Sequence, residues 1–323
     1  MKKNKMTFLA AELFLMILAI FCIRKIFEQS VPEKRVAVIL PDSGDKRWDP
    51  LIKGLKDSAK ANRLHLIICN TDDIETTEDE KELIQEQLGN DVDAFIVCPA
   101  PGSGTKKMLE KQCKDIPFIL VTEDVYSGEQ TTSSGLPVVK PDNYDLGSQL
   151  GKRMLENDGN RLQGKKIGIV AGWEESEQST QTVLGFSDAL RESDGQVIWW
   201  YERKRDQEIC EAVNAKEPVD YIAVLDTGAL DELGEQAGDG QYNGAKIYGM
   251  GSSKKSLALL DYGKIECLAL PDSYAIGYQS AEEIAQKLDR SFYKLKSYET
   301  KGKVIGKEEL EADDIERFLY SYE

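Results

Sequence analysis

The segment from Arg35 to Asp73, RVAVILPDSGDKRWDPLIKGLKDSAKANRLHLIICNTDD, holds one full cycle of the pattern that organises this chain. An unbroken apolar run, Val36 to Leu40, leads through a polar loop into the amphipathic stretch Pro50 to Ala61, and then into a second apolar run, Leu64 to Cys69. Strands rich in Val, Ile and Leu that lack polar alternation are covered on both faces, as in parallel sheets, so this succession reads as a βαβ unit. Asp49 before Pro50 reads as an N-cap followed by proline in the first helical turn.

Further strands are expected at Ala94 to Cys98 and Phe118 to Val121, with a helix at Glu78 to Leu88 and a short connection before Ile116-Pro117. The pattern then restarts, with strands at Lys166 to Val170, Val197 to Tyr201, Tyr221 to Leu225, Lys246 to Met250 and Cys267 to Leu270. Helical periodicity covers Tyr144 to Glu156, Gln178 to Glu192 and Tyr274 to Leu288. The fold class is therefore α/β, with two doubly wound parallel-sheet layers. Right-handed crossovers gather the loops at the carboxyl ends of the strands onto one rim, where ligands of such sheets bind.

A length of 323 residues suits about two domains. With 41% hydrophobic and 30% charged residues the chain can bury a core, and a disordered or collagen-like chain is excluded. The formal charge is −16, although residues 1–35 carry seven Lys/Arg against three Glu, so the body is more acidic still. A nucleic-acid role, which needs a basic surface, is disfavoured. His65 is the one histidine and sits inside an apolar strand run, which removes the usual component of Ser-His-Asp or multi-histidine metal chemistry.

Lys2, Lys3 and Lys5 precede an apolar stretch, Met6 to Ile23, that would span about 27 Å as a helix. The end of the run lacks a small-residue cleavage site, so an uncleaved single-pass anchor at the cell membrane is expected, while the lysines and arginines on either side of it do not fix its orientation. Phe21 occupies the place where a lipidated cysteine, here Cys22, would want a small residue.

Rim loops supply the candidate ligand-binding residues. Asp42, Ser43 and Trp48 follow the first strand, Asp72 the second, and Thr122 and Glu123 the fourth. In the second half, Trp173, Asp226 and Gly251 hold the corresponding places, and Asp142 and Thr182 belong to adjoining segments. An aromatic ring on each layer, Trp48 and Trp173, would grip the flat faces of a small polar ligand. Gly102-Ser103-Gly104-Thr105-Lys106 lacks Walker spacing and reads as a turn capping the next helix. Asp72-Asp73 lacks the ladder of an EF-hand loop, and the six cysteines form no C-x-x-C pair and are expected to be mostly reduced. No metal, no cofactor and no catalytic residue is expected, because no nucleophile stands beside a base.

From about Lys34 onward the residues resemble the type I periplasmic solute-binding proteins for sugars, related also to the ligand domains of lactose-repressor-like regulators. The likeness rests on Trp48-Asp49-Pro50 with Gly54, Val92-Asp93-Ala94 through Cys98-Pro99, Ile116-Pro117, and Asp142-Asn143-Tyr144 with Gly147. It continues in Lys166-Ile167-Gly168-Ile169, Gly185-Phe186, Asp226, Gly249 and Asp261-Tyr262-Gly263-Lys264-Ile265. The resemblance implies two lobes joined by a three-strand hinge, with crossings near Asp142, Leu270-Pro271 and Lys303. Residues 1–33 would then be anchor and linker, 34–141 plus 271–302 lobe one, and 142–270 plus 303–323 lobe two.

The family's sugar-clamping residues are replaced. Thr122-Glu123 stands where its members resemble Asp-Arg, Gln181 to Leu184 where they carry an arginine, Leu225 where they have asparagine, Gly251 for aspartate and Leu270 for the hinge glutamine. The resemblance implies a tethered, extracytoplasmic binder of a sugar-like or other small polar ligand, sensing for a membrane receptor such as a histidine kinase. Two alternatives stand beside it: the binding component of an ABC importer acting with its permease, and a protein-interaction module with a degenerate, ligand-free cleft.

Overall fold

The computed structural model describes residues 12–21, 34–126, 133–159, 161–204, 207–237, 241–312 and 315. Two compact units divide the chain after Lys34. In the first, residues 12–21 are helical, while 6–11 and 22–23 of the expected span, Cys22 included, lie outside the described residues. Among the described residues no helix is long and apolar enough to cross a membrane.

The second unit holds strands β1 (Lys34–Ile39), β2 (Leu64–Ile68), β3 (Ala94–Val97), β4 (Phe118–Val121), β5 (Val138–Pro141), β6 (Lys166–Trp173), β7 (Gln196–Arg203), β8 (Tyr221–Val224), β9 (Lys246–Met250), β10 (Cys267–Leu270), β11 (Tyr298–Thr300) and β12 (Lys303–Gly306). Its helices are α1 (Asp49–Asn62), α2 (Thr77–Gly89), α3 (Thr105–Gln112), α4 (Asn143–Asn157), α5 (Glu177–Leu190), α6 (Ile209–Asn214), α7 (Thr227–Glu235), α8 (Lys254–Asp261) and α9 (Ser273–Asp289). The strands form two six-stranded sheets, ordered β11-β5-β4-β3-β1-β2 and β12-β10-β9-β8-β6-β7. In the first, β1, β3, β4, β5 and β11 pair in parallel. In the second, β12 runs antiparallel to β10 and the other pairs are parallel.

Both faces of each sheet are covered, which is why the strand runs show no polar alternation. Along β1, Val36 and Val38 enter a cluster with Leu51, Leu55 and Ile284 of α1 and α9, whereas Ala37 and Ile39 enter one with Ile84 and Leu109 of α2 and α3. The second sheet repeats this: Ile167 and Ile169 meet Leu150 and Phe186 of α4 and α5, and Val170 joins Leu230 and Leu260 of α7 and α8.

Each lobe also contains one very close helix pair. A Cβ on Gly54 of α1 would strike the carbonyl oxygen of Tyr274, and one on Gly277 of α9 that of Leu51. In the other lobe, Gly147 of α4 meets the Thr182 carbonyl and Gly185 of α5 that of Tyr144. These contacts give a packing reason for three of the glycines on which the family resemblance rests.

Two local expectations are corrected. Asp49 is the first helical residue rather than the cap. Trp48 occupies the cap position, and Asp45 instead caps the preceding 3-10 turn by accepting from the Arg47 N–H. The link before Ile116-Pro117 contains a helix, α3, whose eight residues bury only Thr105, Met108 and Leu109, too few for its period to stand out in sequence.

The chain passes between the sheets three times: from β5 into α4, from β10 into α9, and from β11 to β12. The carboxyl ends of both sets of strands therefore face one another across a cleft.

Candidate ligand cleft

A cavity lies where the two rims meet, with about 100 Å³ open to the centres of water molecules. Its walls come from the carboxyl ends of strands: Pro41 after β1, Pro99 after β3, Thr122 and Glu123 after β4, Trp173 ending β6, Arg203 ending β7, Leu225 and Asp226 after β8, and Met250 ending β9. Pro141 and Pro271 border it at two of the crossings.

Trp48 and Trp173 face this cavity from opposite lobes. The Trp48 indole N–H donates to the Pro41 carbonyl at 2.8 Å, which fixes the ring over the end of β1. A guanidinium lies against each ring: Arg47 Cζ is 5.1 Å from the Trp48 centroid, and Arg203 Cζ is 4.9 Å from that of Trp173. Such stacking holds a guanidinium plane in place while leaving its edge N–H groups available.

Glu123 joins the lobes directly. Its carboxylate accepts from the Ser176 hydroxyl at 2.7 Å and from the Gln178 N–H at 3.2 Å, at the start of α5. Burial, reinforced by the nearby Glu177 and Asp226 charges, pushes its pKa up to about 7 against those hydrogen bonds. The preceding residue, Thr122, has φ +70, an unfavourable conformation for a β-branched side chain. This loop and neighbouring segments of its lobe make further contacts across the cleft. Gly102 N–H donates to the Glu175 carbonyl at 3.2 Å, Asp124 N–H to Glu177 at 3.2 Å, and Lys140 pairs with Glu177.

Of the residues selected from sequence, Trp48, Thr122, Glu123, Trp173 and Asp226 come together around the cavity. Asp226 also caps α7, accepting from the Ala229 N–H at 2.7 Å. The others stand elsewhere. Asp42 borders an outer recess of about 310 Å³ beside the cavity. Ser43 is held by Thr71 through reciprocal backbone-to-hydroxyl bonds, and Asp72 is exposed, its carbonyl accepting from the Asp42 N–H. Asp142 caps α4 through the Asp145 N–H. Thr182 is buried within α5 with its hydroxyl on the Gln178 carbonyl, and Gly251 lies under Ser256. Their neighbours Asp73, Met250 and Ser252 reach the cavity instead.

Sequence reasoning missed Arg47, Arg203, Ser176 and Gln178. Arg47 adjoins Trp48, and Arg203 falls at a rim position, but the strand containing it was read as ending at Tyr201, two residues early. The positions at which the family carries its cations are vacant of them, yet two other cations reach the cleft. Cys98 also lines it, and burial pushes its thiol pKa up, so it stays protonated. His65 is an exposed residue of β2, and the cysteines among the described residues, Cys69, Cys98, Cys113, Cys210 and Cys267, are buried free thiols.

Two parallel-sheet lobes with a cavity at their facing strand ends define the class of two-lobe α/β binding proteins. The chain belongs to the periplasmic binding protein domain family, whose sequence profile matches residues 36–291. It is 27% identical over 156 residues to catabolite control protein A of Staphylococcus xylosus, a match covering 48% of this chain and 43% of that protein. The chain thus spans less than half the length of that curated relative. Among solved structures it is similar to a carbohydrate transporter solute-binding protein from Agrobacterium radiobacter in complex with D-arabinose, with TM-score 0.75 and 14% identity over 90% of this chain and 100% of that one. It is also similar to a chain of the XylFII–LytSN complex, with TM-score 0.68 and 18% identity over 86% of this chain and 99% of that one. At these identities the two structures share its fold.

Proposed function

We propose that this chain is an extracytoplasmic binding protein, held at the cell membrane by Met6 to Ile23, which captures a small polar, sugar-like ligand and reports its capture to a membrane receptor kinase. The observation that carries this reading is the cavity between Trp48 and Trp173, one ring from each lobe. A ligand touched from both sides binds the closed arrangement better than the open one and so drives closure. A swing from mostly open to mostly closed requires about 5.5 kcal/mol of differential affinity. Closure moves the outer faces of the lobes relative to one another, and a receptor that prefers one arrangement responds. The fold neighbour found in the XylFII–LytSN complex supports a role through a second protein.

Calorimetry of the chain against neutral sugars, polyols and nucleosides tests the reading. Binding that weakens in Trp48→Ala and Trp173→Ala is expected, and silence across the panel with an intact fold refutes it. That silence would favour an interaction module whose cleft no longer takes a small molecule, a reading motivated by the Glu123, Lys140 and Glu177 contacts that already bridge the lobes. A role in an ABC importer is supported by the likeness to the Agrobacterium radiobacter protein, a carbohydrate transporter solute-binding protein, and is separated from sensing by whether the chain co-purifies with a permease or with a kinase.

A further inference from the structure

Two guanidiniums from opposite lobes converge where α7 begins. A Cβ built on Gly228 would lie 2.8 Å from Arg47 Nη1 and 2.9 Å from Arg203 Nη1, so the two nitrogens are at most 5.7 Å apart, the sum of those distances. Both arginines line the inner cavity and also the outer recess, so they stand between the two. Each is mostly buried, with 16% and 21% of its side chain exposed, and like charges this close repel in such surroundings.

Their existing ion pairs leave hydrogen-bonding capacity on the facing edges. Among the described residues Arg47 has one ionic partner, Asp45, at 3.5 Å from Nε, and that nitrogen is buried without a hydrogen bond. Arg203 turns Nη2 to Glu232 at 3.1 Å, while Nη1 is 3.7 Å from Asp226, beyond hydrogen-bond distance. Asp226 Oδ1 stands 3.5 Å from the same Cβ on Gly228, its charge balanced by the ion pair with Arg203, and the other carboxylates nearby have partners or face water. Asp226 accepts from Ala229 N–H, Asp45 from Arg47 N–H and Asp231 from the Ser253 hydroxyl, while Asp42 and Asp73 are exposed to water. The N-terminal N–H groups of α7 add a partial positive charge at the same point.

We infer that the ligand carries an oxyanion, a carboxylate or a phosphate, which seats between Arg47 and Arg203 at the start of α7 while its polar body lies between Trp48 and Trp173. This names the ligand class of the cleft and rests on the reading of that cleft as a small-molecule site. Because each lobe contributes one guanidinium, the anion gains both charge-assisted contacts only when the lobes are together, and it cancels the repulsion that closure otherwise meets. Recognition of the acidic group and closure are one event.

The test is calorimetry and thermal unfolding of the full chain with glucose, galactose and xylose, with glucuronate and galacturonate, with glucose 6-phosphate, and with inorganic phosphate alone. At least one acid is expected to bind about tenfold or more tighter than its neutral parent, with uronates and the phosphate ester separating the two oxyanion sources. Arg203→Gln and Arg47→Gln are each expected to lower that affinity about tenfold or more, with Arg→Lys at either position recovering part of it. Neutral sugars binding as well as or better than every acid would overturn the inference and leave the small-molecule reading intact. Acids bound with unchanged affinity by both glutamine variants would also overturn it. Silence from every compound would overturn both.

Discussion

Replacing Glu123 with glutamine should remove a pH-dependent loss of stability. In the native structure this carboxyl has a pKa near 7 against an ordinary value of 4.5, chiefly because burial between the lobes disfavours the charged form. A raised native pKa means that the native state binds the proton more tightly than the unfolded chain does. The associated stability is fully present below about pH 4.5 and is lost as pH rises through 7. The difference between 7 and 4.5, at about 1.4 kcal/mol per pKa unit, is worth about 3 to 4 kcal/mol, most of it falling between pH 5 and pH 9. Glutamine keeps an acceptor for the Ser176 hydroxyl and the Gln178 N–H but does not ionise. Urea unfolding followed by tryptophan fluorescence at pH 5 and pH 9 should therefore give similar stabilities for the two proteins at the lower pH, and a more stable variant at the higher. Glu80, buried in α2 with its pKa pushed up to about 8, chiefly by burial and in part by the Glu123 charge, loses stability with rising pH in both proteins but less in the variant, so its contribution adds to the expected difference in the same direction. A variant with the same pH slope as the parent, or one less stable at pH 9, would refute the assignment of a buried, partly protonated carboxyl to this contact.

Trp48→Ala and Trp173→Ala should each weaken ligand binding by about 1 kcal/mol or more while far-UV circular dichroism stays unchanged, since each ring edges the cavity. An unaltered calorimetric affinity in both would remove them from the site. Gly147→Ala should lower the melting temperature by several degrees, because the new methyl meets the Thr182 carbonyl and forces α4 and α5 apart; Gly89→Ala, with open space around it, is the control and should melt like the parent. Asp142→Ala should cost about 1 kcal/mol of stability through the lost α4 cap and leave ligand affinity as it was; a binding defect there would place Asp142 in the site after all.

The sequence carried the architecture because that information is local and repeated. A doubly covered strand must be continuously apolar, as Val36 to Leu40 and Lys166 to Val170 largely are, and a helix against a sheet must show a 3.6-residue period. Those signals located β1 to β4, β6 to β10 and the long helices within a few residues. They failed where an element is too short to show a period, as in α3, or where it exists only because a neighbour completes its hydrogen bonds. The strands β5, β11 and β12 have four, three and four residues and include Lys140, Pro141 and Lys303.

Within the site, position after a strand selected Trp48, Trp173, Thr122 and Glu123, and the family resemblance singled out Asp226. Which polar side chains share the cavity was decided by tertiary structure. Thr182 and Asp142 are spent on helix hydrogen bonds, whereas Arg47 and Arg203, far apart along the chain, come together at Gly228. A periodic pattern is set by the nearest neighbours along the chain. The meeting of two guanidiniums across a cleft depends on how two sheets are turned toward one another, and no local run of residues encodes that angle.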